Sequence, residues 1–108
     1  MRAGKLRHLV TIESPIDVPT EAGEWEVAIW GTWATRRAEI IPLKGDERFQ
    51  AEHLDPELTH QINMRYVDGI LPSMRIVLGA RTFDIKSALN VDERSRETEI
   101  LATERIGN

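Results

Sequence analysis

The stretch THQINMRYVDGILPSMRIVLGARTFDIKS, residues 59–87, decides the fold of this chain. Apolar and polar residues alternate from His60 to Tyr66, from Met74 to Leu78 and from Arg81 to Ser87. A period of two predicts antiparallel strands that turn one face toward a core and the other toward water. Gly79-Ala80 predicts a type II′ hairpin between the last two strands, because the first turn position needs a positive φ.

The residues before this stretch predict further strands and one long loop. Alternation predicts a first strand over Leu6–Glu13, a second strand or broken pair over Trp25–Trp33, and a third over Thr35–Ile41. Between the first two, Ser14–Glu24 contains prolines, a glycine and several acids, a composition typical of a loop. Long loops in small domains often carry function, so this segment is expected to be functional or mobile.

The segment Pro42–Glu57 differs from its surroundings and predicts a short helix. Gly45 can serve as its N-cap, and Phe49 and His53 lie four residues apart on one apolar face. Asp55-Pro56 ends it, because a residue before proline avoids the α region. Isolated helices of this length are marginal in water, so this one is expected to depend on docking against the barrel or a neighbour.

After the central stretch, Leu89–Glu97 predicts a charged turn, Thr98–Ala102 a last strand, and Arg105–Asn108 a frayed end. Short strands with regular turns are typical of a barrel, which removes exposed sheet edges. The sequence therefore predicts a mainly β fold: a small antiparallel β-barrel of about six strands, with one short helix and a long loop. A chain of 108 residues accommodates one core, so residues 1–108 are expected to form a single domain.

Composition and charge narrow the classes of function. The chain has a formal net charge of −4 and no cysteine, which excludes disulfides, thiolate zinc sites and cysteine nucleophiles. It contains no apolar run long enough to span a membrane and no signal peptide, so no membrane partner is expected and a cytoplasmic origin fits. A net acidic domain is a poor candidate for gripping DNA by its phosphates.

No motif in the sequence predicts catalysis. His8, His53 and His60 lack the spacing of metal ligands, and no nucleophile elbow or phosphate-binding loop is present. We therefore predict no catalytic, cofactor-binding or metal-binding residue and no enzyme activity. A small hydrolase is an alternative function only if the histidines and carboxylates converge in three dimensions.

Three tryptophans fall within residues 25–33 and have two interpretations. They can pack the core and its rim, or they can form a contact surface for another chain, where Trp is enriched. Trp30 and Trp33, followed by Arg36 and Arg37, also come nearest to the aromatic and basic pattern of single-strand binders. A small β-barrel nucleic-acid-binding module is therefore the alternative function.

The order of several segments resembles the small head–tail joining proteins of tailed bacteriophages, also called head-completion or stopper proteins. The segments that carry the resemblance are GKLRHLVTIE (4–13), AEIIPLKGDERFQA (38–51), THQINMRY (59–66), MRIVLGARTFDI (74–85) and NVDERSRETEIL (90–101). The resemblance implies a β-barrel that forms a ring in the virion neck, below the portal, after assembly in the host cytoplasm. There it would close the DNA-filled head and provide the platform for tail attachment.

The resemblance also implies partners. These are further copies of the chain in a ring, with a dodecamer as one candidate and a monomer as the free form, portal or adaptor proteins, and tail proteins. Duplex DNA would pass through the ring without tight binding.

Two groups of residues are candidates for contacts in such a neck. Pro42–Glu57 matches the segment that projects toward the channel in stopper proteins, which implies a position near the lumen or a subunit contact for Lys44, Asp46, Glu47, Arg48 and Phe49. At the N-terminus, the clustering of Arg2, Lys5 and Arg7 suggests that this basic segment pairs with an acidic rim on the adjoining ring.

Overall fold

The computed structural model describes residues 3–43 and 57–105, with side chains described except at Ala3, Val18 and residues 25–28. Six antiparallel strands close into a barrel in the order β1-β2-β3-β6-β5-β4, which confirms the predicted fold class. The strands are β1 (His8–Pro19), β2 (Trp25–Pro42), β3 (His60–Arg65), β4 (Arg75–Leu78), β5 (Arg81–Asn90) and β6 (Glu97–Glu104). Short 3₁₀ turns lie at Ala3–Lys5 and Val91–Glu93.

The barrel interior is filled by the inward residues of the alternating strands. The largest fully buried side chain is Phe83, and each strand contributes at least one member. Burying a large apolar side chain contributes about 1.5–3 kcal/mol, so this interior is the main source of stability. The buried cluster consists of Val10, Ile12, Ala38, Ile62, Met64, Met74, Ile76, Phe83, Ile85, Ile100 and Ala102.

The central hairpin forms as predicted, but the order of the strands around the barrel differs from their order along the chain. β4 and β5 pair through Gly79-Ala80, and Gly79 has φ 59°, the positive value that the turn requires. β3 pairs with β2 on one side and β6 on the other, with no ladder to β4 among the described residues. Residues 66–74 therefore cross the end of the barrel to reach β4.

The predicted loop at Ser14–Glu24 is wrong for its first half. Ser14–Pro19 continues β1 and pairs with Trp25–Gly31, so the connection shrinks to Thr20–Glu24. Within the described part of the chain, β1 beyond Glu13 pairs only with β2, which leaves its outer edge without a neighbour. A proline is tolerated on such an edge because no ladder needs its missing N–H, and Pro15 uses this tolerance.

β2 is one strand rather than the two segments predicted around Ala34. It runs without interruption from Trp25 to Pro42, and register shifts at Ile12/Glu13 and Ile16/Asp17 of β1 absorb the irregularities of the pair. Gly31 lies under Ile16: a Cβ at Gly31 would stand 2.8 Å from the Ile16 Cδ1 atom. The strand thus continues past Gly31 because the missing side chain at this position leaves room for Ile16 of the neighbouring strand.

The predicted helix at Pro42–Glu57 falls, over residues 44–56, outside the described residues. Its flanks are ordered against the barrel. Leu43 and Leu58 are buried and pack with Leu101, and the Leu43 N–H donates to the Thr59 carbonyl at 3.0 Å. Because Ile100 and Ala102 of β6 point inward, Leu101 places this second cluster on the outside of the barrel.

The end of the chain is also better ordered than predicted at Arg105. Its N–H donates to the Thr82 carbonyl at 2.9 Å, and its side chain pairs with Asp84 at 2.9 Å. The frayed end predicted at Arg105 is wrong for that residue because both interactions tie it to β5; residues 106–108 lie outside the described chain.

Candidate assembly surfaces

The first surface is the part of the β1–β2 pair that projects beyond the barrel. We call it the ribbon and define it as Ser14–Pro19, the turn Thr20–Glu24 and Trp25–Gly31. At about 3.3 Å per residue its strands extend roughly 20 Å. Thr20 closes the tip: its N–H donates to the Glu24 carbonyl at 2.6 Å, and its hydroxyl oxygen accepts from the Glu24 N–H at 3.2 Å.

The ribbon exposes apolar and acidic groups. Ile16 and Ile29 face each other across the strands, and 44% and 55% of their surfaces are exposed. Asp17, Glu21 and Glu24 are exposed toward the tip. An exposed apolar pair beside acids is more consistent with a contact surface than with packing inside one protomer.

The base of the ribbon is anchored to the barrel by Arg75 of β4. Its Nε donates to Glu13 Oε1 at 2.7 Å, and its guanidinium lies 4.1 Å from the centre of the Trp30 ring. Both members of the ion pair have side chains only 20% exposed, so solvent screens the interaction less than at an open surface. One arginine thus fixes β1 and β2 where the ribbon leaves the barrel.

The two tryptophans with described side chains pack on the rim, outside the interior cluster. One face of Trp30 is covered by Arg75 and is therefore occupied where a nucleic-acid base would stack. Trp33 is 38% exposed, and its ring lies against Gly69, where an added Cβ would be 3.3 Å from Cζ2. Both side chains support the ribbon end of the barrel, and Trp33 keeps an exposed edge for contact.

A second surface lies at the opposite end of the barrel, where the chain enters β1. An open groove of about 390 Å³ runs between Lys5, Arg7 and His8 on one side and residues 39–42 on the other. Lys5 and Arg7, two of the predicted ring-docking residues, are exposed there. The third, Arg2, lies outside the described residues, as do Lys44, Asp46, Glu47, Arg48 and Phe49.

Basic residues continue from this end along the outside of the β1–β2 pair. Arg37 is exposed, and Leu9, which faces it in the register, is 56% exposed. Arg36 is also exposed but pairs with the buried Val10, so it leaves the strand on the opposite face. The neighbouring acid, Glu39, accepts a hydrogen bond from Asn63 Nδ2 at 3.1 Å. We call Arg7, Leu9 and Arg37 the basic strip.

His60 is part of a polar network at the same end. Its Nδ1 lies 2.9 Å from the Thr59 hydroxyl, and its Nε2 lies 3.5 Å from Arg81 Nη2 and 3.8 Å from Glu104 Oε1. The neutral tautomer with its proton on Nδ1 satisfies the first two contacts. Burial lowers the pKa of His60; the Glu104 carboxylate opposes this shift and the Arg81 guanidinium adds to it.

The arrangement around His60 is that of a structural network. The Thr59 hydroxyl oxygen accepts from the Glu104 N–H at 2.7 Å, and Glu104 is bound to Arg81 through two hydrogen bonds. Neither the His60 imidazole nor the Glu104 carboxylate is therefore poised to activate a nucleophile. His8 is exposed at the start of β1, and His53 lies outside the described residues. Residues 3–43 and 57–105 contain no group of three or more His, Asp or Glu that could hold a metal ion.

Sequence reasoning missed the ribbon and its anchor. The signal for the ribbon was present, because Ile16 and Val18 alternate with Asp17 and Pro19 opposite the alternation of the second strand. The prolines of this segment instead indicated a loop. The Arg75 anchor joins three strands and has no local signal.

Among the described residues, no helix is long and apolar enough to cross a bilayer.

Comparison with known proteins gives one family. A family model described as phage head completion protein matches residues 1–105. A chain from the virion of a native gene transfer agent particle superposes with a TM-score of 0.68 at 19% identity, covering 94% of this chain and 96% of that one, and so shares the fold. The solution structure of a Shigella flexneri 2a protein superposes with a TM-score of 0.75 at 25% identity, covering 100% of both chains. No curated protein matches the sequence.

Proposed function

This chain belongs to the phage head completion protein family, and from that premise we propose that it forms a ring between portal and tail. The ring closes the DNA-filled head and provides the platform to which the tail attaches. Membership of the family supports a structural protein of the phage head and tail. The observation that carries the proposal is the family match over residues 1–105, which include all six strands of the barrel and the projecting ribbon.

The described geometry suits a protein that works through contacts. Its apolar residues fill a closed barrel interior, and both the ribbon and the opposite end of the barrel carry exposed apolar and charged groups. Partners of the ring are further copies of this chain, portal or adaptor proteins, and tail proteins. Within this proposal the protein lies in the virion neck, which it reaches after assembly in the host cytoplasm.

Docking of this ring on its neighbour would use the basic end of the barrel. Lys5 and Arg7 border the groove at that end, and with Arg2 they would meet an acidic rim on the adjoining ring. The segment with Lys44, Asp46, Glu47, Arg48 and Phe49 would line the channel or contact a neighbouring subunit. With a formal net charge of −4, the ring would let DNA pass without holding its phosphates.

Deletion of the gene in its phage or prophage tests the function. Electron microscopy of the resulting particles should show filled heads that lose DNA and lack tails, and the wild-type chain supplied in trans should restore both. Tailed particles that keep their DNA without the protein would overturn the proposal.

Charge reversal tests the docking residues separately. Arg2→Glu, Lys5→Glu and Arg7→Glu together should leave thermal unfolding unchanged but prevent the chain from joining particles. The matched control reverses Arg94 and Arg96, two exposed arginines of the turn before β6. Normal incorporation of the N-terminal variant would remove these residues from the proposal and leave the ring itself standing.

A further inference from the structure

The β1–β2 pair carries opposite charges at its two ends. The ribbon tip exposes Asp17, Glu21 and Glu24, whereas the basic strip, at the barrel end of the same pair, exposes Arg7 and Arg37. Leu9 is exposed within the strip, and Ile16 and Ile29 are exposed behind the tip. Each end therefore combines one sign of charge with apolar surface, a combination that suits a protein–protein contact.

The two ends cannot meet within one protomer. From Leu9 to Glu21 the strand would extend about 40 Å at roughly 3.3 Å per residue. The Arg75 anchor, at 2.7 Å from Glu13 and 4.1 Å from the Trp30 ring centre, fixes the ribbon where it leaves the barrel. The basic strip therefore cannot neutralise the ribbon tip of its own protomer.

We propose that the ribbon tip of one protomer binds the basic strip of a second copy of this chain. The inference rests on the proposed ring and names the contact that closes it. Because tip and strip are different surfaces, the contact is head-to-tail, and a head-to-tail contact closes into a ring when its rotation permits. The strand edge of β1 beyond Glu13, which has no ladder partner among residues 3–43 and 57–105, adds backbone groups for the same contact.

A disulfide locates the contact in assembled particles. The chain has no cysteine, so Ala22→Cys at the tip and Thr35→Cys, on the same face of β2 as Arg37, introduce the only thiols. Particles carrying both should give a ladder of cross-linked oligomers on non-reducing gels after mild oxidation. The control pairs Ala22→Cys with Ser87→Cys, an exposed residue of β5 away from the strip, and should give about tenfold less ladder or none.

Charge reversal supplies an independent test that uses both surfaces. A tip-reversed chain (Glu21→Lys, Glu24→Lys) and a strip-reversed chain (Leu9→Glu, Arg37→Glu) should each lose incorporation by about tenfold or more, because like charges then meet. Supplied together they should restore it, since both tip–strip contacts between unlike chains join opposite charges. All four substitutions in one chain should restore it as well. Thermal unfolding of each purified variant confirms that the fold is retained.

The outcomes separate the two proposals. Complete, tailed particles that contain the protein but give no Ala22–Thr35 ladder, or single reversals that the mixture does not rescue, would overturn the contact and leave the ring function intact. Tailed, DNA-retaining particles in the absence of the protein would overturn the function itself.

Discussion

At the scale of single residues, His60 shows how the barrel end is held together. The ring stands edge-on to Phe83, with 5.1 Å between centroids, and its nitrogens join the Thr59 hydroxyl to the Arg81 guanidinium. The Arg81 hydrogen bonds lower the pKa of Glu104, so this carboxylate stays charged and keeps the arginine in place. A neutral imidazole completes the network, whereas a charged one would lie 3.5 Å from a second cation.

We therefore predict that His60 makes stability depend on pH in the mildly acidic range. Its pKa is lowered in the folded state, so the unfolded chain binds more protons, and its contribution is present above pH 6.5 and lost as the pH falls through the folded pKa. Urea unfolding at about pH 7.5 and 5.5 should show a smaller decrease for His60→Gln than for the wild type. His8→Gln, at an exposed position, should behave as the wild type. Equal pH dependence in all three proteins would contradict the prediction.

At the scale of elements, the ribbon is the part of the fold that depends on one side chain. A two-stranded hairpin is marginally stable alone in water. Arg75 joins it to β4 through Glu13 and the Trp30 ring, and both contacts lie at the point where β1 loses its pairing with β4. The ribbon's direction relative to the barrel therefore follows from this anchor.

Removing the anchor should loosen the ribbon more than the barrel. Arg75→Ala should lower the free energy of unfolding by about 1–2 kcal/mol, the range for a charge-assisted hydrogen bond and a cation–π contact that are both partly exposed. A double-mutant cycle with Glu13→Gln should give a coupling of about 1 kcal/mol. Hydrogen exchange should speed up over residues 14–31 and stay unchanged in β3 and β6. Arg94→Ala, in the exposed turn, is the control; uniform exchange changes or no coupling would refute the anchor.

The elements differ in how far the sequence predicts them. In runs such as Met74–Leu78 apolar and polar residues alternate, and this local pattern is sufficient to predict a strand without tertiary information. Ser14–Pro19 escapes because Pro15 and Pro19 look like loop residues, although a free strand edge accepts them. The pairing of β3 with β6, and the meeting of Glu13, Trp30 and Arg75, depend on long-range register that no local pattern contains. The predicted contact residues 44–49 stay predictions.

At the scale of the whole molecule, closure of the barrel sets where contacts can form. A closed barrel leaves its strands without free edges, so among the described residues the free edges belong to the ribbon and the adjoining part of β2. Acidic groups lie at the projecting end of this pair and basic groups at its root. This separation of charge is the feature on which the proposed contact between copies of the chain rests.

The last prediction separates the neck protein from the alternative nucleic-acid-binding module. In titrations of a labelled DNA duplex at about 50 mM salt, the purified chain should bind weakly and lose little affinity as salt is raised, because its net charge is −4 and few phosphates are neutralised. A steep linear fall of log K with log salt would support the module instead. In that case Arg36→Glu with Arg37→Glu should reduce the slope by about two, since each phosphate contact contributes about one. If the strip binds protein instead, this variant should show the same weak salt dependence of DNA binding as the wild type.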